Sequence, residues 1–199
     1  MLRSFRPLLL IARTSIWNPA RTRCFFTLPN IEIPVQTVSI TRVLPYSPSL
    51  LYQVVSDVDQ YKHFVPYCVE STVTERHPET KQPTKAVLGV GWKSFEESFE
   101  SQLICLEPTS VIAESFKHSL FKVLYSRWQV SQASGPNQFS PQHGQLTLDL
   151  KFQFASPLYN AVSAKFAPAV AKIMIEAFES RMLQVHKIQQ KRNCQSSKK

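Results

Sequence analysis

"QLTLDLKFQFASPLYNAVSAKF", residues 145–166, sets a strand directly against the opening of a helix. Leu146, Leu148, Leu150, Phe152 and Phe154 face one way, and Thr147, Asp149, Lys151 and Gln153 the other. That period-two alternation predicts a strand with one buried and one wet face, as in an antiparallel sheet. Ser156-Pro157 then supplies a cap and a first-turn proline. Val162, Phe166, Val170, Ile173, Met174, Ala177, Phe178, Met182 and Val185 follow as an apolar stripe at helical spacing. Pro168 falls inside this helix and is expected to kink it. A sheet with one apolar face, followed by one long amphipathic helix, buries that face on that helix. Because sheets twist, a curved sheet meeting a rod leaves a space, and that space is the candidate site.

Upstream, "VQTVSITRVL" (35–44) alternates as a first strand, ended by Pro45. Ser47-Pro48 opens a short helix with Leu50, Leu51, Val54, Val55 and Val58 on one face, and "YKHF" (61–64) adds a further turn before Pro66. "CVESTVTER", "KAVLGVGW", "SFEESFESQLICLE", "SVIAESF" and "LFKVLYSRWQV" read as successive strands, with "SQASGPNQFSPQHG" (131–144) a polar surface loop. The order is strand, two short helices, about six strands and a long helix, which is an α+β domain. There is no internal repeat.

The bulk numbers narrow the function. No apolar run reaches the roughly 18 residues that span a bilayer. The chain carries 23 Lys and Arg against 14 Asp and Glu, but five bases lie before Glu32 and five after His186. The middle therefore holds 13 bases against 14 acids, too neutral for a nucleic-acid face. Residues 1–31 are Arg-rich, acid-free and threaded with apolar residues, the composition of a mitochondrial transit peptide. Domain boundaries are expected at a transit peptide over 1–31, a folded domain over 32–189 and a basic disordered tail over 190–199. Cys24, Cys68, Cys105 and Cys194 are scattered without ligand or disulfide spacing, which suits a reducing compartment.

The segment "SDVDQYKHFVPYCVES" (56–71) concentrates the chemistry. Asp57, Asp59, His63 and Cys68 have no metal-site spacing, and no metal site is expected. Tyr61, Phe64, Val65, Pro66 and Tyr67 form either the lip of a pocket or part of the core. Glu96, Glu97 and Glu100 alternate along a strand. Glu97 shares a face with Phe99, so if that face is inward it needs a ligand group, Arg127 or a proton as partner. No catalytic set can be assembled, so catalytic residues are expected to be none. Leu88, Val90 and Trp128 are cavity-lining or core. Phe166, Val170 and Met174 are read as lining too, although core is the commoner fate of a helical stripe.

Asp57, Val58, Tyr61, Phe64, Pro66 and Cys68, preceded by Ser47-Pro48 and an apolar helix, resemble the opening of the mitochondrial coenzyme Q-binding proteins of the START-like, polyketide cyclase superfamily. Leu120–Val130 and Ala177–Arg181 resemble later family segments. The resemblance covers about Val35 to Gln189. It implies a helix-grip (START-like) fold: a curved antiparallel sheet of about six to seven strands wrapped around the long C-terminal helix, with an apolar cavity. It also implies ubiquinone as bound ligand with no further cofactor, and support of respiration and ubiquinone biosynthesis without catalysis. The implied place is the matrix side of the mitochondrial inner membrane, near ubiquinone-biosynthesis or respiratory complexes and without nucleic acid. It favours a lip at Tyr61–Tyr67. A cyclase or aromatase on the same fold, or a ribosome- or RNA-associated protein like the bacterial toxins that share the pattern, are the alternatives.

Overall fold

The structure is a computed structural model that describes residues 34–92, 95–115, 119–134 and 143–196. Residues 1–31, expected as a transit peptide, and most of the loop expected over 131–144 lie outside the described residues.

Strand β1 (Gln36–Leu44) leads into helix α1 (Pro48–Ser56) and a short 3-10 helix (Val58–His63). Strands β2 (Cys68–Arg76), β3 (Pro83–Trp92), β4 (Phe95–Leu106), β5 (Ser110–Ser115), β6 (Phe121–Gln132) and β7 (Gly144–Phe154) follow, and helix α2 (Pro157–Ser196) closes the chain. The seven strands form one antiparallel sheet in the order β1-β7-β6-β5-β4-β3-β2. β2 to β7 run as a meander, and β1 pairs with β7 at the far edge. The α1 and 3-10 segments therefore cross from one edge of the sheet to the other.

The alternation read in β7 is the alternation observed. Leu146 and Leu148 are almost fully buried and Leu150 and Phe152 nearly so, while Lys151 is exposed. In register with them on β6 stand Val130, Trp128, Ser126 and Leu124, which fixes the concave face of a strand apolar on both sides. A β-bulge between Phe121 and Val123 then returns Phe121 to that face, where its ring meets Phe154 at 4.6 Å. Parity alone puts Phe121 opposite Trp128; the extra residue of the bulge reverses it.

Ser47 caps α1, its Oγ accepting from Leu50 N at 3.3 Å, with Pro48 in the first turn. The 3-10 helix is fastened to β2 by Asp59. That carboxylate accepts from Val73 N at 2.7 Å and from Arg76 at 2.6 Å. Ser71 Oγ donates to the Asp59 carbonyl and accepts from Lys62 N. Asp59 is thus a structural clamp, using two acceptor oxygens on an edge strand's donors.

Helix α2 departs from expectation in two ways. It extends to Ser196, with Pro168 inside it, so residues 190–196, expected as tail, are helical. Its buried face is Ala167, Ala171, Ile175, Phe178 and Met182, whereas Val170 and Ile173 are each 39% exposed. Ala167 packs with Leu150 and Phe152, since small side chains let the helix approach the sheet there. Val170 and Ile173 of the expected stripe stand to one side, while its Phe178 and Met182 are buried. Arg42 on β1 pairs with Glu179 at 3.2 Å, and Gln53 on α1 bonds Gln189 at 3.1 Å, which holds the helix over the β1 end of the sheet.

Candidate functional site

Helix α2 sits over β1 and β7, so the sheet's other half has only the edge of the helix and the 3-10 segment above it. Between them lies a cavity of about 200 Å³. Its sheet wall is Leu88, Val90, Phe99, Leu103, Val111, Ala113, Ser126 and Trp128, and its helix wall is Val170, Ile173, Met174 and Phe178. Val58, Tyr61, Val65, Pro66, Tyr67 and Cys68 complete it. Residues from five strands and a helix around one space show the sheet curving about α2. The wall is almost wholly apolar. An apolar cavity of about 150 Å³ holds benzene, so this one takes a substituted ring and little more.

The structure brings Tyr61, Val65, Pro66, Leu88, Val90, Trp128, Val170 and Met174 together around this space. Phe64 is not in the wall. It turns to the far side of Tyr61 and Phe178, its ring edge-on to each at 5.8 and 5.0 Å, with the Arg181 guanidinium above it at 5.6 Å. Phe64 closes the 3-10 helix as its C-cap at φ −143°, outside the helical run, and its ring packs on Tyr61 and Phe178 instead of on the cavity. Phe166 belongs to α2, but its side chain lies outside the described residues. Phe99, Leu103, Val111, Ala113, Ser126, Ile173 and Phe178 are wall residues that sequence reasoning did not single out. Strand alternation carried the signal for Phe99 and Leu103.

The mouth is marked by exposure. Pro66 and Tyr67 on one side, and Val170 and Ile173 on the other, are exposed while lining the cavity. Val65 to Cys68 form a tight turn, with Cys68 N donating to the Val65 carbonyl at 3.2 Å. Pro66 takes its first central position and Tyr67, at φ 65°, its second. A type II turn demands positive φ there and favours glycine, so a tyrosine is held at a strained position.

Burial sets the protonation of the wall. The Tyr61 phenol is pushed well above its usual range by desolvation, and its hydroxyl donates to the Val55 carbonyl. Burial pushes the Cys68 thiol up to about 11, and the thiol donates to the Glu70 carbonyl at 3.2 Å. Both are neutral at neutral pH, as an apolar site requires. Glu97 lies on the concave face in register with Val90 and is half-buried. Arg127 is not its partner. It is on the convex face, bonded to Asp149 at 2.7 Å, and that carboxylate also accepts from Ser39. Among the described residues no group of three or more His, Cys, Asp or Glu side chains is placed to hold a metal.

Residues 44–179 match the family described as polyketide cyclase/dehydrase and lipid transport. The mitochondrial coenzyme Q-binding protein COQ10 of Eremothecium gossypii is 35% identical over 188 residues, 92% of this chain and 90% of the relative. The chain belongs to this START-like family, on the branch of the coenzyme Q-binding proteins. The Saccharomyces cerevisiae member of that branch is 37% identical over 164 residues, 80% of this chain and 77% of its own. Among solved structures, a START superfamily protein from Mycobacterium smegmatis superposes with a TM-score of 0.64 at 19% identity, over 75% of this chain and 98% of that one. The helix-grip expectation is therefore met, with seven strands on the long helix.

Proposed function

We propose that this START-like chain binds ubiquinone with its head group in the cavity and its tail leaving through the mouth. The observation that carries it is the near-absence of polar groups around a ring-sized space in a chain whose relatives are named coenzyme Q-binding proteins. A polyprenyl tail does not fit in 200 Å³, so it trails past Pro66, Tyr67, Val170 and Ile173. Burying a methylene is worth about 0.8 kcal/mol against water, but a tail that starts in hydrocarbon gains little of that. Selectivity then rests on the ring and the shape of its seat.

The role is that of a quinone chaperone or carrier, serving respiration and ubiquinone synthesis, rather than that of an enzyme. The wall offers no paired acid and base: Tyr61 and Cys68 are hydrogen-bonded within the protein and held neutral. The mitochondrial names of the relatives and the basic, acid-free residues 1–31 support a mitochondrial address. The apolar rim and the exposed Lys187 and Lys191 of α2 suit peripheral docking on the inner membrane's matrix face, where each base contributes about 1 kcal/mol near anionic lipid.

Lipid extraction of the purified full chain, followed by mass spectrometry, tests the ligand. Ubiquinone at near-stoichiometric yield is expected. Recovery of only phospholipid or fatty acid overturns the reading.

A further inference from the structure

Among the described residues, Ser126 Oγ and the Trp128 indole N–H are the polar groups of the wall that make no hydrogen bond within the protein. Tyr61 and Cys68 donate to backbone carbonyls, so their polar atoms are engaged within the protein. The indole N–H lies on the largely buried Trp128, which leaves Ser126 as the wall's hydroxyl without a partner. Among the described residues, Ser126 Oγ makes no hydrogen bond, and it is half-buried on the cavity wall. Its neighbours on that face are Leu124 and Trp128 along β6, Ala113 across on β5 and Leu150 across on β7. A hydroxyl in such surroundings is unfavourable against alanine unless something bonds to it.

The position is also shaped. Ala113 and Ser126 are cross-strand partners, both small and both in the wall, set beside the larger pair Val111 and Trp128. Two small side chains facing each other leave room, a recess, in the sheet wall, and Ser126 is one of the pair that lines it. The recess falls where the core under Phe178, which includes Trp128, gives way to the core under Ala167, which includes Leu150.

We propose that the Ala113–Ser126 recess seats the ring of the bound quinone and that Ser126 Oγ donates a hydrogen bond to one ring carbonyl. This rests on the quinone reading above and adds to it the orienting residue and the head-inward direction. Ser126 is a binding and positioning residue; no bond is made or broken.

The test uses the purified full chain with two probes. One is ubiquinone bearing a single isoprene unit; the other is the same substituted ring and tail without the two carbonyl oxygens. Binding is followed by titration calorimetry, and the bound quinone's carbonyl stretch by infrared difference spectroscopy. Wild type should prefer the quinone and show one carbonyl stretch lowered from its free value. Ser126→Ala should weaken quinone binding about three- to tenfold, leave the oxygen-free probe unchanged and return the stretch to its free position. Ser126→Thr, which keeps the hydroxyl, should restore the lowered stretch. If Ser126→Ala binds the quinone like wild type with the stretch unmoved, the assignment is wrong while the cavity reading survives. If wild type binds no quinone, the functional reading fails and the assignment fails with it.

Discussion

Trp128 on β6 lies against Phe178 on α2, ring centroids 4.3 Å apart and planes at 47°, and both rings also face the cavity. The same indole is core on one side and wall on the other. At 3% exposure its stability role and its lining role are not separable by truncation. Trp128→Ala should cost about 3–5 kcal/mol and lower quinone co-purification with it. Trp128→Phe, which keeps a ring on Phe178, should recover most of the stability and much of the uptake. Urea denaturation alongside ligand extraction checks both; a stable Trp128→Ala variant would place the ring outside the core.

Phe64 behaves as packing, not as lip. Its edge-on contacts with Tyr61 and Phe178 anchor the 3-10 helix to α2. Phe64→Ser should therefore destabilise by about 2–4 kcal/mol, near the range of buried aromatic truncations. Unchanged denaturation with weakened vesicle binding would restore the lip assignment.

Tyr67 is where strain and exposure coincide. A left-handed conformation costs a non-glycine residue about 1–2 kcal/mol, and glycine gives back part of that in unfolded-chain entropy. Tyr67→Gly should leave stability unchanged or raise it by up to about 1 kcal/mol, while reducing co-sedimentation with liposomes and quinone uptake. A clear loss of stability would show that the ring, not the turn, is what the fold needs.

Asp57 sits at the C-terminal end of α1, and burial, then the neighbouring Asp59 charge, raises its carboxyl above the usual range despite Arg181 and Arg76. A raised carboxylate pKa means the folded state is stabilised by the proton and loses that contribution as pH rises through the unfolded value. Asp57→Asn should therefore be more stable than wild type at pH 7, with the difference closing near pH 3. Chemical denaturation at the two pH values measures it; a variant weaker at pH 7 would mean that the attraction to Arg181 dominates.

Burial also lifts the Cys68 and Cys105 thiols to about 11. An unfolded thiol ionises near 8.5, so between about pH 9 and 11 the folded chain holds more protons than the unfolded one. Stability is full below that window and falls as pH rises through it. Thermal melts from pH 8 to 11 should show a shallower decline for Cys68→Ala/Cys105→Ala than for wild type. Equal slopes would mean that the thiols titrate normally.

The sequence by itself determined what depends on neighbours along the chain. Period-two alternation over Gln145–Phe154 set the strand and its buried face, Ser47-Pro48 set the start of α1, and charge counting separated basic ends from a neutral middle. Those signals are local, because side-chain direction in a strand and cap chemistry follow from backbone geometry over a few residues. Tertiary structure alone decided which way β6 faces, since both its sides are apolar and a bulge beyond Phe121 shifts the parity. It decided which arc of α2 is buried: the small residues Ala167 and Ala171 carry less hydrophobicity than Val170 and Ile173, yet close approach to β7 selects them. It turned Phe64, the cap that ends the 3-10 helix, onto α2 and left Tyr67 at the mouth in one strained turn. It also placed Ser126, indistinguishable in the sequence from any strand serine, opposite Ala113 in the wall of the cavity. A cavity is made by residues far apart in the chain, so its lining exists only once the sheet has curved around the helix.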